Sequence, residues 1–135
     1  MLGEMIVSER GKITGMRVLP SEGPNPKVEV SFQGNGKLLG VEHTEMGTYH
    51  SVLTPAGVFH GYGQGIIMTK DGETVTWTGE GVGKPKGQGT AASWRGAIYY
   101  QTSSQRLARL NSVAAVFEFE VDENGNTDSK VWEWK

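Results

Sequence analysis

The sequence predicts an all-β fold: a single antiparallel β-barrel of about eight strands in meander order, with one short helical turn near 105–111. Three observations predict it. Apolar residues alternate with polar ones at period two along most of the chain, the pattern of strands with one buried face. Turn-forming pairs recur between these runs at short intervals, so consecutive strands are joined as hairpins and lie antiparallel. Glycine supplies 20 of 135 residues, about twice the usual share, and strand glycines mark the sharp coiling that a closing sheet needs.

Composition narrows the partners. A length of 135 residues fits one domain, 1–135, built on one core. Lys and Arg number 13 against 15 Asp and Glu, a net charge of −2 with the signs interspersed. Neither nucleic acid nor an anionic membrane is therefore expected as a partner. The absence of cysteine removes disulfides, thiolate metal sites and cysteine nucleophiles. Glu4 stands where a signal peptide needs positive charge, and no run approaches the ~20 apolar residues of a transmembrane helix. The expectation is a soluble cytoplasmic protein.

The elements follow in order. Residues 1–26 alternate poorly; one strand is expected from about Lys12 to Leu19, followed by the loop PSEGPNP. In KVEVSFQ, Val28, Val30 and Phe32 alternate with Glu29, Ser31 and Gln33. The stretch Lys37–Ile98 then supplies four extended runs. Asn35-Gly36 reads as a two-residue hairpin turn pairing Phe32 with Leu39 and Val28 with His43, which gathers Val41, His43, Glu45, Gly47, Tyr49 and Ser51 on the inner face. A turn at Thr54-Pro55-Ala56-Gly57 would pair Ser51 with His60, Tyr49 with Tyr62 and Glu45 with Ile66. Asp71-Gly72, read as a type I′ turn, sets Ile66 against Trp77. A loop at Lys84-Pro85-Lys86-Gly87 brings Trp77 opposite Trp94, with Ile98 and Tyr100 continuing the face. In this register Gly61, Gly63 and Gly65 face solvent. Leu107 and Leu110, three apart in QRLARLN, predict one or two helical turns acting as a crossover or plug. The run SVAAVFEFEVD turns at Asn124-Gly125 into KVWEWK, placing Trp132 opposite Phe117 and tying the C-terminus into the sheet.

The stretch GYGQGIIMTKDGETVTWTGEGVG, two glycine-alternating strands around an Asp-Gly turn, resembles the central hairpin of small bacterial barrels related in fold to allene oxide cyclase, many of them uncharacterised. The resemblance is a pattern over about half the chain and carries no catalytic residue to a matched position. It implies a β-barrel, often a homo-oligomer, with an apolar, lipocalin-like cavity.

The candidate site consists of polar residues that the register turns inward: His43, Glu45, Tyr49, His60, Tyr62 and Gln64. A buried polar group left unbonded costs roughly 1–3 kcal/mol, so such a cluster needs a network or water. Glu45 with His43 two residues back makes a candidate acid–base couple, and equally a structural ion pair. Tyr49, Tyr62, Trp77, Trp94 and Tyr100 read either as core or as the wall of a site for a small apolar or aromatic ligand, oriented by His60, Gln64 and the tyrosine hydroxyls. His43, Glu45 and His60 match no metal-ligand spacing, and no metal or cofactor is expected. The glycine-rich GEGVGKPKGQG lacks the Gly-Lys-Ser/Thr ending and following helix of a phosphate loop. Ser51 beside His60 lacks a third orienting group. Three readings follow: a small-molecule-binding barrel, an isomerase or cyclase-like enzyme using Glu45 and His43, and a non-catalytic structural oligomer.

Overall fold

The computed structural model describes residues 1–135. Eight antiparallel strands follow one another round a closed barrel: β1 (Leu2–Glu22), β2 (Asn25–Leu38), β3 (Val41–Leu53), β4 (Phe59–Thr69), β5 (Thr74–Pro85), β6 (Ala92–Thr102), β7 (Ala114–Val121) and β8 (Asn126–Trp134). Val7 pairs with Leu38 on one side and Val131 on the other, so β1 closes the ring. β1 begins at Leu2 rather than near Lys12. Register shifts at Ile13/Gly15 toward β2 and at Met5/Val7 toward β8 break its alternation. Each bulge moves the side-chain parity by one, which is why period two is hard to read there.

Three hairpins share one turn. In Thr54–Val58, Thr69–Glu73 and Asp122–Asn126 the first N–H donates to the last carbonyl, and the glycine in fourth place donates back to the first carbonyl. That glycine, Gly57, Gly72 or Gly125, lies in the left-handed region at φ 82°, 92° or 79°. Asp71 and Asn124 do not have positive φ. These are therefore three-residue loops, a type I turn closed by a left-handed glycine, instead of type I′ pairs. Each moves the register by one residue from the expected one. The first slip turns β4 over: Gly61, Gly63, Gly65 and Ile67 face inward, while His60, Tyr62, Gln64, Ile66 and Met68 face outward. The second slip reverses the first, and Val75 and Trp77 regain the inner face. In β8 the third slip gives Val131 the inner place opposite Phe117 and pairs Trp132 with Val116.

The two-residue turn lies elsewhere. β2 runs through Asn35-Gly36 to Leu38 and turns at Leu39-Gly40, both with positive φ, so Phe32 meets Gly47 instead of Leu39. Gly36 serves another purpose, since a Cβ there would overlap the Ser8 carbonyl of β1. Between β5 and β6 the loop falls after Pro85, which pairs Trp77 with Tyr100 and Gly83 with Trp94, and not the two indoles with each other. Both displacements are even, so the inner face is unchanged.

One apolar cluster, with Ile6, Val7, Leu38, Ile67 and Val75, is capped by Leu107 and Leu110 of a 3₁₀ turn at Ala108–Ser112, the expected plug. The other gathers Phe32, Ala92, Trp94, Phe119 and Val121. The inward glycines make room for rings: a Cβ on Gly61 would lie 2.6 Å from Trp94, and one on Gly65 would overlap the Trp77 indole. No helix is long and apolar enough to cross a membrane.

Candidate functional site

β1 and β3 turn three ionisable side chains into the barrel: Glu9, His43 and Glu45, exposed by only 3%, 4% and 7%. His43 Nε2 lies 2.7 Å from Oε1 of Glu9, and the Trp77 indole N–H donates to Oε2 of Glu45. The expected couple of His43 with Glu45 is thus rearranged, with Glu9 standing between them as the partner of His43. Burial strips water from all three groups and disfavours their charged forms. It holds His43 below its ordinary value and raises both carboxyls. Glu45 rises furthest, because the Glu9 carboxyl beside it adds to the desolvation. No fixed donor of the protein reaches the second oxygen of Glu9. A proton shared with Glu45 would satisfy it, and the chain Trp77–Glu45–Glu9–His43 would then hold a single negative charge.

Glu45 forms one wall of a cavity of about 80 Å³ running along the lumen, lined also by Phe32, Tyr49, Trp77, Trp94, Tyr100 and Phe119. Tyr100 is fully buried, and its hydroxyl is pushed well up by desolvation and by the nearby negative charge of Glu45 and Glu9. Burial likewise raises Tyr49. A second pocket of about 280 Å³ lies beside this cavity, between Val28, Val30, Ser51, Phe59 and the loop residues Gly89 and Thr90. Tyr49 and Trp94 belong to both walls, meeting edge to face with centroids 5.5 Å apart. The lumen therefore has two compartments with an aromatic pair between them.

Of the predicted site residues, Glu45, Tyr49, Trp77, Trp94 and Tyr100 converge on the inner cavity, and His43 supports it through Glu9. The side chains of His60, Tyr62 and Gln64 do not, although Tyr62 borders the cavity between Gly61 and Gly63. The one-residue slip at the Thr54–Val58 turn puts them on the outer surface. There His60 meets Glu80 at 2.8 Å, Tyr62 meets His50 at 3.1 Å beneath Lys27, and Gln64 donates to the Thr48 carbonyl. Ser51 accordingly pairs with Gly61, away from His60. Sequence reasoning missed Glu9. Its only signal is its place two residues after Val7, on the face that Val7 buries.

No protein-family model matches the chain, and no curated protein matches it in sequence. Solved structures match it along nearly its whole length. A conserved protein of unknown function from Rhodopseudomonas palustris superposes with a TM-score of 0.82 at 13% identity, covering 98% of this chain and 97% of that one. A protein of unknown function from Clostridium acetobutylicum gives 0.83 at 12%, covering 98% of each chain. An enzyme from Penicillium herquei gives 0.67 at 16%, covering 98% and 96%. At these identities the likeness is one of fold, and the chain shares a small closed β-barrel with proteins of unknown function.

Proposed function

We propose that the protein binds a small, partly apolar molecule in its lumen. The observation that carries this reading is the adjacency of the two compartments: an apolar pocket, an aromatic pair shared by both walls, and an inner cavity bordered by a buried carboxyl. The inner space alone, about 80 Å³, falls far below the ~300–1,000 Å³ of a typical small-molecule site, whereas the two compartments together enter that range. A ligand filling both would displace the Tyr49–Trp94 contact, its polar end meeting Glu45 and its apolar body lying against Val28, Val30 and Phe59. Native mass spectrometry of freshly purified protein tests this directly. A co-purified small molecule, lost when Tyr49→Trp narrows the passage, is the expected result. A ligand-free spectrum, together with tryptophan emission that no small aromatic compound alters, would refute it.

A second reading, an isomerase or cyclase-like enzyme, is favoured by the place of Glu45 at the cavity wall, where burial strengthens its hold on a proton that it could hand to a bound molecule. The barrel's resemblance to the allene oxide cyclase group and the enzyme of like fold from Penicillium herquei point the same way. Under this reading Glu45 is the acid, Glu9 and His43 set its protonation, and Glu45→Gln abolishes turnover without loss of binding.

Self-association is part of the proposal. The outer face of β3 and β4 exposes Met46, Ile66 and Met68 by 48%, 41% and 48%. Their neighbours across the strands are uncharged, with Met46 beside Ile66, Thr44 beside Met68 and Thr76 beside Ile66. A charge-free face suits a second copy of itself.

A further inference from the structure

The charge inside the barrel is one-sided. Glu9 and Glu45 are buried, yet no Lys or Arg is, and the single base among them, His43, is held neutral by its burial. None of the fixed positive charge of the protein is buried, and much of it is held on outer ion pairs such as Arg95–Glu120, Lys86–Glu120, Arg17–Glu29 and Arg109–Glu4. A negative charge in a poorly solvated interior is stable only with a counter-charge or a proton. The second oxygen of Glu9, in a residue 3% exposed, is reached by no N–H or hydroxyl of the protein, and only a proton shared with Glu45 can serve it. Beside this acidic pair the cavity presents ring faces and edges, chiefly Trp77, Trp94, Tyr49, Phe32 and Tyr100. Rings of this kind attract cations through their quadrupoles, most strongly where water is excluded.

From this juxtaposition we infer that the lumen takes a small organic ammonium ion, its charged end against Glu45 and its apolar body between Tyr49 and Trp94. The inference rests on the lumen being a binding site and adds the class of ligand. Binding sets the ammonium against the one negative charge of the acidic pair, so the lumen becomes neutral and no proton is exchanged with solvent. The other groups facing the pair are His43 from β3, Tyr100 from β6 and the Trp77 N–H from β5; none of them supplies positive charge near neutral pH. A carboxylate ligand of the same shape is rejected, because it adds a second uncompensated charge.

Three probes of one shape separate the possibilities: 2-phenylethylammonium, 2-phenylethanol and 3-phenylpropanoate, each titrated into the full protein while tryptophan emission is followed. The ammonium is expected to bind at least about tenfold more tightly than the alcohol near pH 7.5, and the carboxylate not at all. Glu45→Gln should bring ammonium affinity down to that of the alcohol, while Glu42→Gln on the outer surface leaves it as it was. Calorimetry of the unmutated protein in buffers of different ionisation enthalpy should show no net proton exchange, a readout independent of how Glu45→Gln folds. Alcohol binding as tightly as ammonium, or ammonium binding with release of about one proton, which marks uptake of the neutral amine, would overturn the ammonium assignment and leave the lumen reading standing. Failure of all three probes to bind would overturn both.

Discussion

Substituting Gly65 by alanine tests the placement of the β4 glycines, on which the shape of the lumen depends. A Cβ at this position would overlap the Cε2, Nε1 and Cζ2 atoms of Trp77, so the indole has to move. The ring is held on one side by Phe32, with centroids 6.5 Å apart and planes 30° from parallel, and at its N–H by Glu45. Overpacking a core costs about 1–3 kcal/mol. Losing a hydrogen bond to a charged or strongly polar partner adds about 1.5–3 kcal/mol, while replacing glycine returns roughly 0.4–1 kcal/mol through the unfolded chain. The net is a loss of about 2–5 kcal/mol. With a urea m-value of ~1–3 kcal/mol/M, the unfolding midpoint should fall by at least about 0.7 M, with tryptophan emission as the probe. Trp77→Phe in the same chain removes the atoms that collide, so the double variant should be markedly less destabilised than the sum of the two single changes. A Gly65→Ala midpoint close to that of the unmutated protein would mean that this glycine does not back onto Trp77, and the register of β4 would have to be redrawn.

Further expectations concern the other parts of the molecule. Glu9 and Glu45 titrate above their ordinary value when folded. The stability their protonation confers is therefore complete below about pH 4.5 and lost as pH rises through the raised values. Glu45→Gln, which stays neutral, should gain stability relative to the unmutated protein as pH climbs from about 4.5 to 8; parallel urea midpoints over that range would show that Glu45 titrates normally. Leu110, fully buried in the plug, should cost about 2–5 kcal/mol when truncated to alanine, measured by thermal unfolding; a cost near zero would show that the 3₁₀ turn does not cap the core. Ile66→Lys, on the exposed outer face, should leave the melting temperature within a few degrees and shift the mass seen by light scattering from an assembly to the single chain. A single-chain mass for the unmutated protein at high concentration would remove the self-association proposal.

Much of the barrel was legible because strand faces depend on parity alone. The Asn35-Gly36 reading displaced the partner of Phe32 from Leu39 to Gly47, and the Lys84–Gly87 reading displaced that of Trp77 from Trp94 to Tyr100. Both errors were even, and Glu45, Tyr49, Trp94 and Tyr100 stayed inside. An odd error has no such tolerance. Asp-Gly and Asn-Gly suit the last two residues of a three-residue loop as well as a type I′ pair, and the two differ by one position. The chain decides between them by side-chain volume: with Trp77 and Trp94 directed inward, β4 has to present Gly61 and Gly65 to them, and the loop that achieves this is the longer one. Glu9 was illegible for a different reason, since the irregular pairing of β1 hides the alternation that would have placed it.

The same exchange of volume explains how a filled barrel keeps a hollow. Gly61 and Gly83 are covered by Trp94, Gly65 by Trp77, and Gly47 by Phe32 and Trp77, so in each case an aromatic ring occupies what wall side chains would have filled. Gly79 differs. A Cβ there meets the Ala97 carbonyl at 3.2 Å and Ile98 at 3.7 Å and touches neither tryptophan, and Gly79 lines the inner cavity. The carboxyl of Glu45 borders this space, fixed there by the Trp77 N–H. One side chain thus does two things at once: Trp77 takes up the volume left over Gly65 and part of that over Gly47, and it holds the buried carboxyl of Glu45 at the cavity wall.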